Sequence, residues 1–336
     1  MPTVAFSLFS MLAGRPLPLL ESMIFHASDK HRMPTGPFNL PPIIAERNSP
    51  RLRCFGLGLP LYRITDIRIP WHQLTHLCLF NAFTSSITPT LNGYLHVLRQ
   101  CTNIKSFILT VTNYELKRPA PTLELSLIED LQLHILVDGC RLGSFLDVLV
   151  LPKLRQLYIR CAFLSRDPLE QQHCWYRLEL ACLLHRSRCQ LQQLILVHVP
   201  ITVPEVITCC SISLHLKRLS YLPGPPSRID TEILQALTPF QVQADSGETR
   251  MLCPDLQSIK FGFGKSFYGE AFLKMVRARG IPSRNVAMMK HVQVVLYKSL
   301  FSPMSLNIDA CISQYKSRLQ QALPRGVVDI SWGGPV

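Results

Sequence analysis

Charge is scarce in this chain, and acidic charge most of all. Only 17% of the 336 residues are charged, with 22 Asp and Glu against 35 Lys and Arg, a formal net charge of +13. With 47% hydrophobic residues, the chain can bury enough apolar surface to offset the entropy of ordering, which excludes global disorder. The composition is equally far from a collagen or a highly charged tail. A bilayer-length apolar run is missing. The longest charge-free stretch, Ile69 to Leu98, contains Pro70, Pro89, Asn81, Asn92 and three His, which no membrane-spanning helix tolerates. The opening Met1 to Leu12 is briefly apolar but lacks the basic flank of a signal peptide. There is no Asn-x-Ser/Thr sequon, no Gly-x-Ser-x-Gly and no His-Glu-x-x-His. The 12 Cys are an even number, as in a disulfide framework. Many of them occupy positions of a recurring pattern that reads as core, which favours free thiols in a reducing cytoplasm or nucleus.

What is present is a repeat. The phrase Leu-x-x-Leu-x-Leu, with Ile, Phe, Met or Tyr as substitutes, begins at Leu20, Leu52, Leu74, Ile104, Ile128, Leu154, Leu191, Leu216 and Leu256. These nine copies are spaced 22 to 40 residues apart, the upper end of leucine-rich repeat spacing with irregular insertions. The last two apolar positions are two residues apart, so they share one face of a short strand. A strand that buries one face and has no partner within its own repeat must stack on its neighbours as a parallel sheet.

Segments of helical length lie between the copies. Leu91 to Gln100, Leu142 to Leu149, Tyr176 to His185, Asp230 to Leu237 and Glu270 to Arg279 carry apolar residues at helical spacing. The expected fold class is therefore α/β: a leucine-rich-repeat solenoid, curved parallel sheet inside and helices outside. It spans residues 17–285, after a frayed segment 1–16. Val292 to Tyr297, Leu306 to Leu323 and Val327 to Trp332 read as strand, helix and strand, a C-terminal cap over 286–336 that covers the last core layer.

In that geometry, residues between and beside the two apolar strand positions point to the concave face. The expected protein-binding residues are His76, Asp130, Gln132, His134, Gln156, Tyr158, Arg160, Gln193, Arg218 and Lys260, flanked by Cys78 and Ser106. Tyr and Arg are the natural anchors of such a surface.

Catalytic and metal signals are weak beside this. Gly264-Lys265-Ser266 has the end of a phosphate-binding loop, but Ile259 stands where the motif needs its first Gly. His173, Cys174, Cys182, His185 and Cys189 form the densest group of ligand types, with one tight pair, Cys182-x-x-His185, and no second. Cys182 and Cys189 also fit helix core and repeat junction. Cys101, Cys189 and Cys253 each precede a repeat's first Leu or Ile by two or three residues, a place for a small buried hydrophobe. The expectation is no enzyme, no cofactor and no metal.

Several phrases resemble the leucine-rich-repeat region of the large F-box protein family of mushroom-forming fungi. Pro70-Trp71-x-Gln73-Leu74-Thr75-x-Leu77 matches its "PWxQLTxL" strand, and Leu98-Arg99-Gln100-Cys101-Thr102-Asn103-Ile104 its "LRQCPNL" junction. Leu149-Val150-Leu151-Pro152-Lys153-Leu154-Arg155-x-Leu157 resembles "LTLPxLRxL". Leu184, Arg186-Ser187, Cys189 and Leu191 follow "LLxRSxCxL". Thr231-x-x-Leu234-x-Ala236-Leu237-Thr238 and Cys253-Pro254-x-Leu256 complete the likeness, which covers roughly residues 15 to 300. It implies a non-catalytic scaffold that presents a protein target to a cullin-type ubiquitin ligase. A Skp-type adaptor is a partner only where an F-box precedes the repeats. Leu17 to Phe25 departs from the F-box opening: Leu20 holds the acidic position and the Ile-Phe pair falls one residue early, so the segment fits the first repeat better. Two alternatives accompany this reading. One is nucleic-acid binding by the basic surface, and the other is a repeat protein with no ligase role.

Overall fold

The computed structural model describes residues 15–26, 48–58, 64, 69–80, 91–111, 121–136, 142–162, 179–223, 231–239, 252–263, 269–280, 286–297, 313, 317–318, 321 and 328–333. Its centre is one open parallel sheet of eleven strands. The strands are β1 (Ser22–His26), β2 (Cys54–Gly58), β3 (His76–Leu79), β4 (Ser106–Val111), β6 (Asp130–Ile135) and β8 (Gln156–Cys161). They continue with β9 (Gln193–Val197), β10 (Arg218–Leu222), β11 (Ser258–Phe263), β12 (His291–Tyr297) and β13 (Val328–Gly333). Each pairs with the next in that order. Two further strands, β5 (Leu123–Glu124) and β7 (Leu149–Val150), form a separate parallel pair that the sequence pattern does not announce.

All nine copies of the repeat phrase align in register. One row runs Met23, Phe55, Leu77, Phe107, Leu131, Leu157, Leu194, Leu219 and Ile259, each the second apolar position of its copy. Val292 and Val328 continue that row. The two strands expected in the C-terminal cap thus join the same sheet as its tenth and eleventh members. The third apolar position makes a parallel row through Leu57, Leu79, Leu109, Leu133, Ile159, Leu196, Tyr221 and Phe261, all buried. Together the rows form one continuous interior, at about 1.5–3 kcal/mol for each fully buried side chain.

The spacing of the phrase has a backbone cause. The N–H of the first apolar residue closes a tight turn on the carbonyl three residues earlier, as at Leu52 on Ser49, Leu74 on Trp71, Ile104 on Cys101, Leu154 on Leu151 and Leu256 on Cys253. The next residue's carbonyl then accepts two successive N–H groups of the following copy. Thr75 O accepts from Lys105 and Ser106, Lys105 O from Glu129 and Asp130, and Glu129 O from Arg155 and Gln156, at 2.8–3.1 Å. The same arrangement recurs from Glu21 to His291, so the turn sets the register before the strand begins.

Among the described residues, six helices cover the sheet's core face: α1 (Leu91–Gln100), α2 (Leu142–Val148), α3 (Glu179–Ser187), α4 (Val203–Ile212), α5 (Thr231–Leu237) and α6 (Gly269–Gly280). From α2 onward each contacts the next. Five match expected segments; of the segment expected at α3, residues 176–178 lie outside the described residues. The helix α4 was not expected. Its signal is Thr202-x-x-Glu205 with Pro204 in the first turn, a capping-box pattern. The Glu205 carboxylate accepts from the Thr202 N–H at 2.8 Å and from Thr202 Oγ1 at 2.7 Å.

The segment 1–14 lies outside the described residues, as does most of the expected helix Leu306 to Leu323. Among the described residues, no helix is long and apolar enough to cross a membrane.

Candidate functional site

Strand alternation turns every second side chain away from the helices. Three rows result on the open face. The first runs Cys54, His76, Ser106, Asp130, Gln156, Gln193, Arg218, Ser258 and His291. The second runs Gly56, Cys78, Ile108, Gln132, Tyr158, Ile195, Ser220, Lys260 and Gln293. The third includes Thr110, His134, Arg160, Val197 and Leu222. All ten expected face residues fall on these rows. His76, Gln156 and Arg218 are exposed, and the other seven are half-buried by their neighbours.

The early part of the face is tied together by its own hydrogen bonds. Asp130 Oδ2 accepts from Ser106 Oγ on the preceding strand at 3.2 Å and from Gln132 Nε2 at 3.0 Å. The rings of His134 and Tyr158 stack at a tilt with centroids 5.2 Å apart. Burial, and secondarily the Arg160 charge, lowers the pKa of His134, and the same two causes lower that of His198. Both imidazoles are therefore held neutral. Burial pushes the Cys78 thiol up to about 11, with Cys54 and Asp130 adding to it, so it is a protonated thiol and a poor nucleophile.

The later part opens into a groove of about 510 Å³. Tyr158, Arg160, Gln193, Arg218 and Lys260 from the expected set line it. His76, Asp130, Gln132, His134 and Gln156 are not among its lining residues. Ile195, Val197 and Leu222 also line it, as do His198, Ser258, His291 and Gln293. Sequence reasoning missed these for two reasons. An outward apolar residue such as Ile195 is indistinguishable from core by composition. β12 reads as a cap rather than a tenth copy, although Val292-x-Val294 has the two-residue spacing of the phrase.

Ser258 Oγ and His291 Nδ1 stand 3.5 Å apart in the lining, at the limit of a hydrogen bond, and no Asp or Glu lines the groove to orient that imidazole. Cys182, expected in helix core, is exposed on the outer side of α3, because Leu180, Ala181, Leu183 and Leu184 take the buried positions. Cys189 is half-buried, while Cys101 and Cys253 are fully buried as expected. His173, Cys174 and Gly264-Lys265-Ser266 lie outside the described residues. Among the described residues, no group of three His, Cys, Asp or Glu is placed to hold a metal ion.

No family model matches this chain, and no curated protein matches it.

Proposed function

We propose that the chain is a leucine-rich-repeat solenoid that works as a non-catalytic protein-interaction scaffold, the open sheet face being its contact surface. The observation that carries this reading is the shared register of nine look-alike copies. It sets outward residues in rows across neighbouring strands, about 4.8 Å apart, a surface of the mixed polarity that protein partners use. The resemblance of the repeat phrases to fungal F-box proteins supports a target-presenting role in a cullin-type ubiquitin ligase, in the cytoplasm or nucleus. A Skp-type adaptor is then the second partner of any form that carries an F-box.

The test is affinity capture of the chain from its native cell, followed by mass spectrometry. The ligase reading expects adaptor and cullin subunits beside a recurrent target. A target without them leaves a scaffold with no ligase role. The net charge of +13 favours one second reading, nucleic-acid binding. Retention on RNA that falls steeply with salt, with no protein target recovered, would replace the scaffold reading by that one.

A further inference from the structure

We infer that the groove over β8 to β12 receives an extended acidic segment of a protein partner, its carboxylates on Arg160, Arg218 and Lys260 and its apolar side chains on Ile195, Val197 and Leu222. This inference rests on the interaction-scaffold reading and adds the chemistry of the partner. The three cations come from three different strands yet line one groove. No Asp or Glu lines it, and among the described residues no ion pair joins any of the three to a carboxylate. The contrast with the earlier part of the same face is direct, because there Asp130 is already satisfied by Ser106 and Gln132.

The floor separates a peptide from a nucleic acid. Ile195, Val197 and Leu222 are half-buried side chains on the open side of the sheet. They supply apolar contact area between the charges. A single-stranded nucleic acid wants stacking platforms between its cations. Of the three aromatic rings in the lining, Tyr158 is already packed against His134, His291 contacts Ser258 Oγ through Nδ1 at 3.5 Å, and His198 is the third. An extended peptide alternates side chains every ~3.4 Å, so carboxylates at every second residue repeat at ~7 Å. Arg218 and Lys260 stand on adjacent strands, two positions apart along them, which places their backbones about 8 Å apart, a gap that their long side chains can close.

The experiment is fluorescence anisotropy of the full chain with a labelled decapeptide of Glu, Val and Ser in which alternate residues are Glu, against the same peptide with Gln for Glu. The expected result is binding about tenfold or more tighter for the Glu peptide at low salt, weakening as salt rises. An Arg218→Gln/Lys260→Gln variant, with a wild-type unfolding midpoint, is expected to lose that preference. A Lys153→Gln/Arg155→Gln variant, altered outside the groove, should keep it. Equal binding of the two peptides overturns the inference, as does a preference that survives in the groove variant. Displacement of the Glu peptide by decathymidylate more readily than by unlabelled peptide also overturns it, in favour of nucleic acid. If the cell capture recovers a protein target while the Glu peptide fails to bind, the scaffold reading stands and the acidic partner falls.

Discussion

Arg279 Nε donates to the carbonyl oxygen of Leu237 at 2.7 Å, so a fully buried guanidinium on α6 closes the C-terminal end of α5. The same side chain donates to Leu252 O at 2.7 Å and Cys253 O at 3.1 Å. It thereby ties the end of α5 to the turn before β11, satisfying three carbonyls, among them that of Cys253, whose backbone sits in the left-handed region at φ 48°. Burial lowers the Arg279 pKa to about 10, with the group still charged at neutral pH. Arg186 on α3 makes a lighter version of the contact, to Leu146 O at 2.7 Å and Leu149 O at 3.2 Å at the end of α2.

Removing this fork leaves three carbonyls unsatisfied as well as a cavity. Arg279→Ala is expected to cost about 3–5 kcal/mol, and Arg186→Ala about 1–3 kcal/mol. Arg279→Lys should not restore stability, because an ammonium is a compact point donor without the planar fork. Urea unfolding midpoints decide the matter. A rescue by Lys would show that charge, not the three-way geometry, is what the site needs.

The two faces of one strand make a second comparison. Leu157 is fully buried at the centre of the long apolar row, while its neighbour Gln156 is exposed. Leu157→Ala is expected to lose about 2–5 kcal/mol through transfer and cavity terms, and Gln156→Ala to change stability within about 0.5 kcal/mol. Equal effects in denaturant titrations would contradict the assignment of core and open faces.

How much of this was legible beforehand depends on which physical rule governed each residue. Leu77, Leu131, Leu157 and Leu194 were readable as one row because a period of two and a repeated turn leave no other way to bury them together. The outward residues followed from the same alternation. Arg279 was not readable: it lies at helical spacing from Phe272 and Met275, but a cation at such a place normally reads as the solvent side of the helix. Its burial depends on carbonyls contributed from 26 to 42 residues away, which no local pattern encodes. The groove was half legible, for its cations belong to the expected face, while its apolar floor could be told from core only once the helices were seen to lie on the other side.

Thiol reactivity gives an independent reading of burial. The nine cysteines among the described residues are all free. Burial pushes the thiols of Cys101 and Cys209 up to about 12, and the hydrogen bond with Cys253, then burial, raises that of Cys210. Thiolate is the reactive form, so among the described cysteines iodoacetamide at neutral pH is expected to modify exposed Cys182 first. Cys101, Cys209, Cys210 and Cys253 should react only as the chain unfolds. Peptide mapping after a short pulse checks this, and early labelling of Cys209 or Cys210 would place α4 off the sheet.

The last expectation concerns pH. The carboxyl of Glu179, at the start of α3, lies in the space left by Gly143 on α2: a Cβ on that glycine would come within 1.6 Å of Oε1. Burial first, then the nearby Asp147 and Glu205 carboxylates, raise its pKa from the ordinary 4.5 to about 7. The folded protein therefore holds this proton more tightly than the unfolded chain. The resulting stability is fully present below pH 4.5 and is lost as pH rises through 7. Because the group is only partly shielded from water, the difference between pH 5 and pH 8 is expected to be about 1 kcal/mol. Glu179→Gln, neutral throughout, should remove that part of the pH dependence and gain stability over wild type at pH 8 but not at pH 5. Gly143→Ala should act in the same direction by displacing the flexible carboxylate toward water. Parallel unfolding curves for wild type and Glu179→Gln at both pH values would mean that the carboxyl is solvated, and that the close packing of α2 on α3 at Gly143 does not hold it.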